Sequence, residues 1–265
     1  MASRFALPAP LVLQARIFFT ALQFYTRLPI PAWVGFDASL VRASIGYFPS
    51  IGFLVGTVCA GVFIIAAMAL PIGLAAVLST AAGIYLTGAL HEDGFADVCD
   101  GFGGGYTPER IMTIMSDSRI GAFGAIGIGL MLATKCMALA SLPPTQVPMA
   151  LVAAHTISRL APAAVAWRLV YVKQEGKAKL ASHGMSGMVF LCAAVLPLAT
   201  LTYAVAQGLL PAKSVLAALL GIACATWWHA RMFHRRLGGY TGDCLGAVQQ
   251  VAEVTFYLVI VACDQ

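Results

Sequence analysis

Residues 45–70 read IGYFPSIGFLVGTVCAGVFIIAAMAL, an apolar run without one charged side chain. About 20 such residues in helical form cross the hydrocarbon core of a bilayer. Six further apolar stretches, near 73–90, 121–140, 148–168, 187–209, 213–230 and 245–263, meet the same requirement. Turn signals at Leu70-Pro71, Pro143-Pro144 and Leu210-Pro211 separate several of them. The composition agrees: 60% of residues are hydrophobic and 10% charged, with a mean hydropathy of +0.86. A soluble domain carries about 25% charge, so water is not the solvent for most of this surface. The expected fold is all-α: a polytopic membrane bundle of about seven transmembrane helices, forming one membrane domain over residues 1–265.

An N-terminal amphipathic helix is expected over 16–28, because Arg16, Thr20, Gln23 and Arg27 recur every three or four positions between Phe18, Phe19, Leu22, Phe24 and Tyr25. It serves as an interfacial anchor or as a lid beside an active face. Pro8, Pro10, Gln14 and Arg16 break any signal-peptide core. The seven cysteines form no CxxC pair and sit mostly in apolar runs, where cysteine acts as a small hydrophobe. With the N-terminus inside, thirteen of the 16 basic residues fall on the cytoplasmic side; Lys213 lies outside, and Lys135 and Arg159 fall within spans. The polar segments 91–119 and 229–243 then share the cytoplasmic face.

Six of the 11 acidic residues lie between 92 and 117. If the second span continues as helix through Asp100, then Asp93, Asp97 and Asp100 fall within roughly 60° on its surface. Three like charges so close need a cation. Carboxylate oxygens select hard ions, and Mg²⁺ is held by one or two carboxylates together with substrate phosphates. Gly101, Gly103, Gly104 and Gly105 end that helix. Thr107-Pro108-Glu109 marks the start of another, which delivers Asp117 and Arg119 at its end. Asp117 completes the metal site and Arg119 clamps a phosphate, or the two pair with each other. An intramembrane arginine is a functional candidate, so Arg159 is one, whereas His155, four residues before it, is expected to meet a structural partner. Asp243 adds a carboxylate before the last span, and Lys135 and Glu253 are expected to pair within the bundle. Together these groups point to metal-assisted phosphoryl transfer at a membrane face. An ion-coupled transporter is the competing class, but its site would lie at mid-membrane.

Three motifs in order carry a family resemblance: His91-x-Asp93-Gly94-x-Ala96-Asp97-x-x-Asp100-Gly101, then Ile114-Met115-x-Asp117-Ser118-Arg119-x-Gly121, then Gly238-Gly239-x-Thr241-Gly242-Asp243-x-Leu245-Gly246. With Phe19-Thr20, Phe24, Thr26–Pro31, Ser158-Arg159 and Glu175-Gly176, the chain resembles adenosylcobinamide-GDP ribazoletransferase, also called cobalamin-5′-phosphate synthase, along essentially its whole length. The resemblance implies a Mg²⁺-dependent enzyme of the bacterial cytoplasmic (inner) membrane. It would join adenosylcobinamide-GDP and α-ribazole, or its 5′-phosphate, into adenosylcobalamin, or its 5′-phosphate, with release of GMP. In that reaction Asp93, Asp97, Asp100 and Asp117 are expected to bind Mg²⁺, and Arg119 and Arg159 to neutralise the leaving GMP. Asp243 or a cluster carboxylate handles the attacking hydroxyl, while His91 bonds phosphate or orients a carboxylate. The acidic run also compares with CDP-alcohol phosphotransferases, but Asp97 and Val98 stand where that family has Ala-Arg.

Overall fold

The computed structural model describes residues 9–173 and 185–264. Arg4, Glu175, Gly176, Lys177 and Lys179, used above for orientation or resemblance, lie outside them. Among the described residues twelve α-helices follow one another: α1 (Ala9–Tyr25), α2 (Ala38–Ser44), α3 (Phe48–Ala67), α4 (Ile72–Thr87), α5 (Leu90–Gly104), α6 (Pro108–Met115), α7 (Ala122–Ser141), α8 (Val147–Ile157), α9 (Leu160–Arg168), α10 (Gly187–Ala206), α11 (Ala212–Leu237) and α12 (Gly242–Asp264). The chain is thus an all-α bundle. Six of the described stretches are long and apolar enough to cross a bilayer, α8 and α9 together counting as one. A bent pair, α4 with α5, makes up to seven.

Local chemistry places the helix starts. Asp37 accepts from Ser39 N–H at 2.7 Å ahead of α2, Thr107 accepts from Arg110 N–H ahead of α6, and Ser186 does the same for Val189 ahead of α10. Pro49, Pro108 and Pro148 occupy first turns, where a missing N–H costs nothing. Buried faces pack through small residues, since lipid supplies no hydrophobic drive between helices. A Cβ on Gly52 would collide with the His155 carbonyl, and one on Gly56 would meet the Leu151 carbonyl at 2.9 Å, so α3 and α8 touch backbone to backbone. Outward faces stay apolar, with Leu198, Leu216, Leu220, Trp227 and Trp228 all more than half exposed; in a membrane those surfaces meet acyl chains and the headgroup boundary.

Three expectations change. The second span does not continue through Asp100: Gly88 (φ +68°) and Ala89 (φ +59°) both adopt the left-handed region, and α5 leaves α4 at 92°. That conformation stops a helix and is cheap only for glycine. The second change concerns the glycines after Asp100. Gly101, Gly103 and Gly104 lie inside α5, whose last residue is Gly104, with Gly105 as its C-cap. Arg236, at the end of α11, donates to the Gly105 carbonyl at 2.5 Å and lies over the Phe102 ring, so a cation closes the C-terminus of α5. The amphipathic helix starts earlier than expected, at Ala9, and stops at Tyr25.

A candidate active site at one end of the bundle

The turn at Gly88 lets α5 lie against the start of α12. Gly94 makes that approach possible, because a Cβ there would stand 2.9 Å from the Asp243 carbonyl oxygen. One turn of α5 separates Asp93 from Asp97, as i, i+4 spacing requires, and both carboxylates are close enough to Asp243 to repel it or be repelled by it. Lys173 faces the group, its Nζ 3.8 Å from Asp243 Oδ2, and Thr241 donates to the same oxygen at 3.3 Å. Lys173 is held there by a short backbone pairing: Val172 N–H donates to the Tyr240 carbonyl and Tyr240 N–H to the Val170 carbonyl, at 3.0 and 2.9 Å. A cavity of about 670 Å³ opens beside these groups, with His91, Asp93, Tyr171, Lys173 and Asp243 on one side. Thr20, Gln23, Phe24 and Tyr25 of α1 also line it, so the amphipathic helix flanks the site. Burial and the Asp243 charge push the Tyr171 phenol up to about 12, leaving it a neutral hydrogen-bond donor.

Asp100 and Asp117 are engaged elsewhere. Asp100 Oδ2 accepts from Gly121 N–H at 2.7 Å and Oδ1 from Gly124 N–H at 2.8 Å, so this carboxylate caps the start of α7 from a neighbouring helix. A Cβ on either glycine would collide with its oxygens. Replacing Asp100 with alanine is therefore expected to cost about 1–2 kcal/mol of stability, the usual value of a lost cap, measurable as a lowered melting temperature. Asp117 and Arg119 take the pairing alternative: Arg119 Nη2 lies 2.7 Å from Asp117 Oδ2 on an exposed turn. The guanidinium's hydrogen bonds hold the Asp117 carboxyl low, at about 2, and raise Arg119 in turn.

Arg159 is 1% exposed, donates to the His155 carbonyl at 2.7 Å and lies over the Phe48 ring. It is not in the cavity wall. It belongs to a second polar group inside the bundle. Lys135 Nζ meets Glu253 Oε1 at 2.9 Å, His155 Nε2 lies 3.4 Å from the same oxygen, and Gln249 donates to Glu253 Oε2 at 2.9 Å. Gln250 accepts from Lys135 and donates to Glu92 Oε1, at 3.1 and 2.9 Å. Two acids, Glu92 and Glu253, thus offset two bases, Lys135 and Arg159, as burial of charge requires. The expected Lys135–Glu253 pairing is present. This network ties the first turn of α5 to α7, α8 and α12, and so sets where Asp93 and Asp97 point. His91 stands between the two groups: it lines the cavity, is 3% exposed, and its Nε2 has no hydrogen-bond partner among the described residues.

Sequence reasoning passed over Lys173, Tyr171 and the pair Gln249-Gln250. The glutamines were detectable as polar residues in an apolar span; Lys173 was indistinguishable from a basic loop residue.

Among the described residues no three His, Cys, Asp or Glu groups gather closely enough to hold a metal ion alone. That donor set still fits Mg²⁺, which takes one or two carboxylates and completes its shell with waters and phosphate oxygens. Asp93, Asp97 and Asp243 are the residues that could hold it.

The fold and site define a polytopic membrane protein with a cavity lined by carboxylates and a lysine at one end. Residues 17–261 match the family described as cobalamin-5-phosphate synthase. Proteins called adenosylcobinamide-GDP ribazoletransferase resemble the chain along nearly all of both lengths. The one from Leptothrix cholodnii is 44% identical over 94% of this chain and 96% of its own. Those from Shewanella frigidimarina and Ralstonia pickettii are 40% and 43% identical, covering 94% and 89% of this chain and 95% and 91% of theirs. No solved structure matches. The chain belongs to the cobalamin-5-phosphate synthase family, transferases that complete the nucleotide loop of cobalamin.

Proposed function

We propose that this protein joins adenosylcobinamide-GDP to α-ribazole, or its 5′-phosphate, releasing GMP, and that it needs Mg²⁺ to do so. The observation that carries the reading is the convergence of Asp93 and Asp243 on one cavity with Lys173 and Tyr171, with the Asp97 carboxylate close enough to feel the charges of Asp93, Asp243 and Lys173. The ribazole hydroxyl attacks the phosphorus that bears the cobinamide arm; the pyrophosphate P–O bond breaks and GMP leaves with its electron pair. Asp243, half-buried and held by Thr241, is placed to take the hydroxyl proton. Lys173 and the Tyr171 hydroxyl hold phosphate oxygens by charge and hydrogen bond. His91 offers its unpartnered Nε2 to the same substrate. Mg²⁺, when bound by Asp93 and Asp97, supplies charge neutralisation on the pyrophosphate.

The positive-inside pattern supports an inner-membrane orientation with the N-terminus and this cavity facing the cytoplasm. The test is direct. In nanodiscs with Mg²⁺, the protein is expected to release GMP from adenosylcobinamide-GDP only when α-ribazole or its phosphate is present. EDTA should stop the release and excess Mg²⁺ restore it; release unaffected by chelation removes the metal from the reaction. Turnover instead of a CDP-activated lipid with an alcohol would move the chain's chemistry to that other class.

A further inference from the structure

We infer that the aromatic half of the cavity, walled by Phe24, Phe36 and the Tyr25–Phe48–His91 ring stack, is the subsite for the dimethylbenzimidazole ring of α-ribazole. This rests on the joining reaction proposed above and assigns one of its two substrates to a place.

Three observations lead there. First, size: cavities of roughly 300–1,000 Å³ enclose drug-sized ligands, and this one measures about 670 Å³. α-Ribazole, with about 20 non-hydrogen atoms, fits such a volume. The corrin ring of the other substrate is several times larger, so that molecule can enter only by its nucleotide-bearing arm.

Second, orientation of the walls. Tyr25 stacks on Phe48 with ring centroids 4.2 Å apart and planes at 24°, and Phe48 on His91 at 5.5 Å and 20°. All three rings line the cavity, so a run of nearly parallel planes leads from the α1 side to the residue two positions before Asp93. A flat heteroaromatic ring laid along these walls places its attached ribose toward Asp93 and Asp243, where the attacking hydroxyl is needed. Phe36 is 78% exposed yet forms part of the same wall; a bound ring would cover apolar surface that water otherwise wets.

Third, polarity. Phe24, Phe36, Val41, Ile45 and Phe48 make most of this half hydrocarbon, with Thr20 and Gln23 of α1 its polar members. A guanine seated there would have only those two side chains for its edge donors and acceptors, and the rest would face carbon at the cost of unmade hydrogen bonds. Dimethylbenzimidazole has no N–H donor once glycosylated, and its two methyl groups gain from burial. Guanine is therefore assigned elsewhere, with its phosphates reaching Lys173.

The test uses the full chain in nanodiscs, initial rates of GMP release, and Phe36→Ala, whose exposed position spares the fold. The KM for α-ribazole is expected to rise about tenfold, while the KM for adenosylcobinamide-GDP stays within twofold. A riboside of the same configuration carrying purine in place of dimethylbenzimidazole should show a KM at least tenfold above that of α-ribazole in the wild type, and the contrast should shrink in Phe36→Ala. The assignment is overturned if the KM for adenosylcobinamide-GDP moves instead, or if neither KM moves. A wild-type chain that releases no GMP overturns the joining reaction, a result distinct from either.

Discussion

Asp97→Asn is expected to lower GMP release by about three orders of magnitude, within the range removal of a principal acid–base or charge-organising group produces. Asp97 is half-buried and feels the charges of Asp243 and Asp93, with Lys173 a cation acting against them. Asparagine keeps the size and removes one negative charge, so the site loses attraction for a divalent cation without losing shape. Stability should hold or rise, because three crowded carboxylates repel one another in the folded state. Loss of turnover with an unchanged or higher melting temperature marks a residue kept for function at the expense of stability. Added Mg²⁺ should not restore the rate. Near-normal turnover would take Asp97 out of the site. Asp100→Ala makes the contrast, since its predicted effect falls on stability through the α7 cap.

The second large effect lies deeper. Glu253→Ala leaves Lys135 and Arg159 facing Glu92 alone inside the bundle, and breaking a buried pair in this way costs about 3–5 kcal/mol. A melting temperature lowered by many degrees in detergent, with partial recovery on adding Lys135→Met, would bear this out, because the double variant removes the stranded ammonium along with its partner. Glu253→Gln should cost less, since an amide can still accept from Lys135 and meet Tyr257 and Gln249. A Glu253→Ala protein that melts with the wild type would show that the network carries no stability.

How much of this was legible beforehand differs by element. Spans α3, α7, α10 and α12 were readable within a few residues, because a charge-free apolar run has one low-energy form in lipid: a helix whose backbone bonds to itself. The start of α6 at Thr107-Pro108 was readable because a cap is local chemistry. The pairing of Asp93 with Asp97 followed from spacing alone. The partners beyond one turn did not. Spacing placed Asp100 on the same face, yet its oxygens go to Gly121 and Gly124, a choice made by the packing of α5 on α7. Arg159 read as a functional candidate by its rarity in a span, and the structure places its guanidinium over the Phe48 ring, outside the cavity wall.

The apolar runs therefore determined by themselves that this is a membrane bundle, and the acidic segment that Asp93 and Asp97 stand one helical turn apart, since composition and short-range periodicity act within a few residues. Only the tertiary structure decided which other carboxylate joins them. The 92° turn at Gly88-Ala89 and the close approach at Gly94 bring Asp93 and Asp97 to Asp243 across about 150 residues of chain. Such contacts depend on helix packing, whose geometry is set by surfaces distant in sequence.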